Sequence, residues 1–115
     1  MAYANGLDLT RTAVVDIPEF SPVTLVAGYK QVTITPDGEA ADGFALDAAS
    51  ANRPVRIRIN SESDAYTDEA LVGGEKLSSD GKGKLRLATA NDTVIAKAVG
   101  PVKGGKVSVQ LKGLN

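Results

Sequence analysis

Apolar and polar residues alternate along much of this chain, and this alternation limits the possible fold more than any other feature. In Pro54-Val55-Arg56-Ile57-Arg58-Ile59, every second side chain is apolar and aliphatic. Lys106-Val107-Ser108-Val109-Gln110-Leu111 has the same pattern. A period of two predicts β-strands with one buried face and one exposed face. Further strands are predicted at residues 22–26, 31–35, 43–46, 84–88 and 93–99.

Turn-forming dipeptides separate the predicted strands. Asp37-Gly38, Asp80-Gly81 and Gly104-Gly105 are pairs that tolerate the positive φ angles of tight turns. Several short strands with regular turns predict an all-β fold, either a small β-barrel or a sandwich.

One segment has features of a helix, at residues 63–71. Ser63 is a suitable N-cap, and Tyr66 and Ala70 are four residues apart, which places them on one helical face. We therefore expect at most one short helix in the fold.

Residues 1–21 differ from the rest of the chain. They have little periodicity, and the closely spaced Pro18 and Pro22 favour an extended backbone outside a sheet. The segment is interpreted as an extended N-terminal arm, followed by a single β domain at residues 22–115. A loosely ordered terminus is the alternative. In the arm hypothesis, these apolar side chains bind a partner: Tyr3, Leu7, Leu9, Val14, Val15 and Phe20.

The β domain also contains two similar stretches, at about residues 22–60 and 73–112. Residues 34–38 resemble residues 77–81, and residues 54–59 resemble residues 106–111. Two related halves and chance similarity between β segments both remain open. If the halves are related, they share one structure, because neither alone can bury its apolar face.

The composition excludes the common catalytic and metal-binding arrangements. The chain has no Cys and no His, so Ser–His and Cys–His nucleophile pairs and Cys-based zinc sites are impossible. The acidic clusters, such as Asp64, Asp68 and Glu69, lack calcium-loop spacing. We expect no enzymatic activity, no metal and no cofactor.

The charge pattern also limits the partners. Thirteen basic and 14 acidic residues are dispersed along the chain, which does not favour nucleic acid as a partner. No long apolar stretch or signal-peptide pattern is present, so synthesis in the cytoplasm without membrane insertion is expected. Arg56 and Arg58 point to the same side of their predicted strand. They form either a solvated face or a contact with acidic residues of a partner.

The order of segments resembles the head-decoration, or capsid cement, proteins of tailed bacteriophages. The resemblance rests on Gly43-Phe44-Ala45-Leu46 followed by a loop and the alternating strand at 54–59. It continues with Gly74-Glu75-Lys76-Leu77-Ser78-Ser79-Asp80-Gly81, the strand at 94–99 and the closing strand at 106–111.

This resemblance implies a virion structural protein on the capsid exterior that stabilises contacts between major capsid subunits. Its implied partners are the major capsid protein and further copies of itself, with a trimer favoured over a dimer. It supplies no catalytic residue. The alternative function is a small β-barrel binding module of a phage tail or adhesion assembly, which a ligand pocket lined by Tyr29 or Tyr66 would favour.

Overall fold

The computed structural model describes residues 8–111 of the chain, and within this range the protein is all-β. These residues form ten strands and no helix. The strands are β1 (Asp8–Ala13), β2 (Pro22–Val26), β3 (Gln31–Ile34), β4 (Gly43–Ala45), β5 (Pro54–Arg58), β6 (Glu62–Tyr66), β7 (Lys76–Ser79), β8 (Leu85–Leu87), β9 (Ala96–Ala98) and β10 (Lys106–Leu111). The predicted all-β class is therefore confirmed.

The short helix predicted at residues 63–71 is replaced by a strand. β6 pairs antiparallel with β10, from Lys106↔Tyr66 to Gln110↔Glu62. Ala65 is completely buried on the inner face of this strand. Because the pairing with β10 satisfies the backbone and buries the inward side chains, it overrides the local helical preference.

Strands β1 to β5 form a closed barrel in the order β1-β3-β2-β4-β5. β1 lies antiparallel to β5 and parallel to β3, so it closes the barrel. Ala13 is fully buried, and Leu9 packs against the barrel core. The predicted free arm is therefore wrong for residues 8–13. Its first residues, 1–7, lie outside the described residues.

The rest of the predicted arm covers one end of the barrel. Ile17 is 2% exposed and forms an antiparallel bridge with Ala49. Pro22 is the first residue of β2, a position that proline tolerates. The prolines therefore mark a loop that turns back onto the barrel, because the apolar side chain of Ile17 gains more from burial than from exposure.

Strands β6 to β10 form a five-stranded sheet in the order β6-β10-β9-β7-β8. Its two end strands approach each other where Thr67 bridges Leu85 in parallel. The Thr67 hydroxyl also donates a hydrogen bond to the carbonyl oxygen of Leu85 at 2.7 Å. This sheet is thus nearly closed, with a parallel contact at the same place in the strand order as the β1–β3 pair.

The first half (β1 to β5, residues 8–58) and the second half (β6 to β10, residues 62–111) share strand order and register. Pro22 pairs with Phe44 between β2 and β4, and Lys76 pairs with Lys97 at the equivalent place between β7 and β9. The β1–β5 and β6–β10 pairs correspond in the same way. The paired strand residues of the first half therefore have defined counterparts in the second half.

Hydrogen bonds in the loops repeat as well. The Ala49 N–H donates to the Ile17 carbonyl oxygen at 2.9 Å, and the Val102 N–H donates to the Leu71 carbonyl oxygen at 3.2 Å. Ile17 and Leu71 are both buried and close the same end of their halves.

The equivalence of strands between the two halves agrees with one of the two segment matches predicted from the sequence and disagrees with the other. Residues 54–59 and 106–111 occupy equivalent strands, as their similarity suggests. Residues 34–38 and 77–81 do not, because the counterpart of β3 is β8 and the counterpart of β7 is β2. We propose residues 8–58 and 62–111 as the limits of two related halves.

Each half has its own hydrophobic cluster, and a buried residue of the first half belongs to the cluster of the second. Phe44 lies on β4 of the first half, yet it is 1% exposed and packs in the cluster of the second half. Its neighbour Ala45 faces the opposite side and packs in the cluster of the first half. Alternation along β4 therefore joins the two halves through apolar contact.

Candidate protein interaction site

Arg86 on β8 joins the halves electrostatically. Its Nε and Nη2 donate to the two carboxylate oxygens of Asp37 at 2.9 and 3.3 Å. Its Nη1 and Nη2 donate to the carboxylate of Asp92 at 2.6 and 2.9 Å. The bonds from Arg86, aided by the backbone N–H of Thr89, hold the pKa of Asp92 well below its usual range. Bonding to Asp92 and then to Asp37 raises the pKa of Arg86.

We expect the Asp92→Asn variant to lose more stability, relative to wild type, at pH 7 than at pH 3. A carboxyl group whose pKa is lowered in the folded state stabilises it above the unfolded value of about 3.9. That stabilisation disappears as the pH falls from about 5 towards the folded pKa. Urea unfolding midpoints at pH 7, 5 and 3 measure the difference between wild type and variant.

Asp68→Asn is the matched control for this prediction. Asp68 pairs with Lys84 at 3.0 Å, but its side chain is 82% exposed, so its removal should change the midpoints little. A midpoint difference between wild type and Asp92→Asn that stays constant from pH 7 to pH 3 would contradict the stated role of Asp92.

Aromatic and charged side chains fill the other side of the junction. The Phe20 and Tyr66 rings lie 6.0 Å apart, and the Lys106 ammonium group lies 5.7 Å from the Phe20 ring centre. The Tyr66 hydroxyl donates to the Glu19 carboxylate at 3.1 Å, and this hydrogen bond raises the pKa of Tyr66. Phe20, predicted to bind a partner, thus contacts the second half of its own chain.

The two arginines predicted to contact a partner form bidentate ion pairs within the chain. Arg56 donates to both carboxylate oxygens of Asp47, at 2.8 and 3.0 Å. Arg58 donates to both carboxylate oxygens of Asp8, at 3.0 and 3.3 Å. The Arg56 pair lowers the pKa of Asp47 through the hydrogen bond. Both guanidinium groups therefore have an internal carboxylate partner.

The structure does not bring the predicted partner-binding residues into one surface. Leu9 faces the barrel core and Phe20 lies at the junction between the halves. Val15 is 41% exposed, and Val14 beside it is partly buried. Of the apolar set, Val15 is the described residue best placed to meet another molecule.

A shallow apolar groove lies near Val15 at the loop end of the first half. It has a volume of about 450 Å³, and its lining includes Ile17, Pro18, Ile34 and Ala49. The Ala51 N–H donates to the Asp16 carboxylate at 2.9 Å, which fixes the two loops of this end to each other. The groove is therefore a concave surface formed by two loops that are hydrogen-bonded to each other.

The turn between β2 and β3 displays a second apolar side chain. Tyr29 is 68% exposed, and Ala27, Gly28 and Tyr29 all have positive φ angles. For a residue other than glycine such a conformation is costly. The Arg11 Nε donates to the Tyr29 carbonyl oxygen at 2.5 Å, which supports the turn. Tyr29 also lines an open groove of about 380 Å³ with Leu9, Arg11, Leu25 and Asp42.

The loop between β6 and β7 displays a third apolar side chain in a similar way. Val72 is 80% exposed. The Glu75 carboxylate accepts hydrogen bonds from the N–H groups of Val72 and Gly73 at 2.9 and 2.8 Å, and these bonds lower its pKa. An exposed aliphatic side chain thus lies on a loop whose backbone is held by two hydrogen bonds to Glu75.

The acidic residues considered for catalysis have structural partners. Asp68 pairs with Lys84, and the Glu69 carboxylate accepts a hydrogen bond from the Leu87 N–H at 3.0 Å. Across residues 8–111, no group of three or more acidic, His or Cys side chains is arranged to hold a metal ion. The same residues include no helix long and apolar enough to cross a membrane.

Comparison with known proteins gives a similarity of fold alone. No protein-family model matches the chain, and no curated protein sequence matches it. Among solved structures, the chain is similar to the head fiber gp8.5 N base in bacteriophage phi29, with a TM-score of 0.76. The two proteins share a fold. The similarity covers 95% of this chain and 98% of that chain, at 13% sequence identity.

Sequence reasoning did not identify Val72 as an exposed apolar residue. The available signal was an apolar residue directly before the Gly73-Gly74 turn, since turn tips are normally polar. Tyr29 has the same signal, because it follows Gly28 in a turn. Both residues are recognised as a set only from their exposure in the fold.

Proposed function

We propose that this protein is a structural component of a phage virion that binds the outside of the head and stabilises contacts between major capsid subunits. The single observation that carries the proposal is the fold shared with the phi29 head fiber base over nearly the full length of both chains. The resemblance of the segment order to head-decoration proteins supports the same assignment. No catalytic step is part of this function.

The proposed contact with the head is the loop end of the first half. Val15 is exposed there beside the apolar groove lined by Ile17, Pro18 and Ala49. An exposed apolar side chain beside an apolar groove suits a small hydrophobic contact with a protein surface. Tyr3 and Leu7 lie outside the described residues, and their role in binding a partner stays a proposal.

In the proposed mechanism, many weak contacts with the shell act together. Each copy buries a modest area, and many copies at symmetric positions on the shell act together, so that avidity replaces tight single contacts.

The direct test is co-sedimentation of purified protein with expanded capsids that lack it. We expect saturable binding to capsids and none to free major capsid subunits that are not assembled. Failure to bind capsids, together with binding to tail or adhesion components, would favour the binding-module alternative and overturn the head assignment.

We expect Val15→Asp to weaken capsid binding at least about tenfold, which corresponds to about 1.4 kcal/mol. The substitution places a charge in an apolar contact, and that charge must lose water on binding. Leu87→Asp is the matched control, because Leu87 is also aliphatic and also 41% exposed but lies on β8 of the second half. Equal loss of binding for both variants would remove the assignment of this surface.

A further inference from the structure

The contact between the two halves uses a different surface on each half. The first half contributes Pro18, Phe20 and Phe44, which we call its projecting face. The second half contributes the β7–β8 turn with Gly83 and the region of Ile95, which we call its receiving face. These two faces lie at non-equivalent positions of the shared strand order. The internal contact is therefore head to tail.

A head-to-tail contact between equivalent units leaves one face of each kind unused. The unused projecting face is on the second half, where Val72 and Lys97 occupy the positions of Pro18 and Phe44. The unused receiving face is on the first half. There, Asp42 occupies the position of Ile95, and the turn with Tyr29 replaces the turn with Gly83.

The apolar members of the unused faces are complementary. Among the described large hydrophobic side chains that are exposed, Val72 and Tyr29 have the highest exposures, at 80% and 68%. Their counterparts touch inside the chain: a Cβ on Gly83 would lie 3.5 Å from Pro18 Cγ. The most exposed apolar residues therefore lie where the internal contact predicts a partner.

The charged members are complementary as well. Inside the chain, Phe44 packs in the same cluster as Ile95. At the equivalent positions of the unused faces stand Lys97 and Asp42, which have opposite charges. Lys97 on β9 lies directly opposite Lys76 on the neighbouring strand β7. Two like charges in this arrangement destabilise a sheet unless an anion offsets them. A carboxylate from another copy supplies that charge.

We infer that copies of this chain associate head to tail, with the projecting face of one second half bound to the receiving face of the next first half. Tyr29 of one copy then packs on Val72 of the next, and Asp42 pairs with Lys97. Repetition of this contact gives a closed ring if the rotation closes. The inference does not depend on whether the protein binds a phage head.

Cysteine cross-linking tests the inference directly, because the chain contains no cysteine. Tyr29→Cys and Val72→Cys are made as separate full-length variants, oxidised alone and as a mixture. We expect a disulfide-linked dimer in the mixture only, since the contact joins unlike faces. A dimer from either variant alone, in place of one in the mixture, would indicate a twofold contact and overturn the inference.

Mass measurement by light scattering gives a second readout on the unmodified chain. We expect wild type to elute as a discrete multiple of the 11.9 kDa chain and Val72→Asp to elute as the monomer. Lys97→Glu should also lose the oligomer, because it places a carboxylate against Asp42 of the next copy. A monomeric wild type, or an oligomer that survives both Val72→Asp and Lys97→Glu, overturns the inference.

Discussion

Replacing Phe44 with alanine is expected to lower the free energy of unfolding by about 3–5 kcal/mol. Phe44 is 1% exposed, and it carries the apolar contact of β4 into the cluster of the second half. Its truncation leaves a cavity between the closed barrel and the packed sheet of the second half, which have little freedom to collapse around it. The expected loss is a large share of the stability of a domain this size.

Urea unfolding followed by far-ultraviolet circular dichroism measures this effect. Val15→Ala is the control, because a 41% exposed side chain should change stability by no more than about 0.5 kcal/mol. A loss below about 1 kcal/mol for Phe44→Ala would show that the halves do not depend on this residue. Separate transitions for the two halves in the variant would also identify Phe44 as the residue that couples them.

Replacing Gly43 with alanine is expected to destabilise the barrel by about 1–3 kcal/mol. A Cβ at this position would lie 2.5 Å from the carbonyl oxygen of Arg58 and 2.7 Å from Cγ2 of Ile57. The first obstacle is backbone of β5, which cannot rotate away as a flexible side chain does. Strand β4 or β5 must therefore move, and the barrel register between them is strained.

Gly100→Ala separates this steric effect from the general effect of removing a glycine. A Cβ at Gly100 would meet nothing within 4 Å, and Gly100 does not have a positive φ angle. Alanine there should leave stability unchanged or raise it by about 0.4–1 kcal/mol, because it restricts the unfolded chain. The same unfolding measurements apply to both variants, and equal effects would contradict the steric explanation.

The alternating segments were predictable because their information is local. Residues 54–59 and 106–111 form β5 and β10, and the short strands β2, β3, β4 and β8 follow their predicted positions. Residues 93–99 contain β9 only at Ala96–Ala98, since an apolar run does not define strand ends. Three strands were missed: β1, β6 and β7. β1 and β6 form because they pair with strands far away in sequence.

The candidate site was less predictable than the fold. Val15 was expected to meet a partner and is exposed, but Leu9 faces a core and Phe20 contacts Tyr66. The ion pair of Arg56 with Asp47 could not be predicted from the sequence either, because charge along a strand does not identify which loop will supply the carboxylate.

The sequence by itself determined the all-β class, the inward and outward faces of its strongest strands and the lack of Cys and His chemistry. Only the tertiary structure decided the closure by β1, the strand at β6 and the docking of the two halves. Phe44 and Lys97 illustrate the physical reason. They occupy equivalent strand positions, and the neighbouring half covers Phe44 and leaves Lys97 exposed. Alternation sets which way a side chain points, and long-range packing sets what it meets.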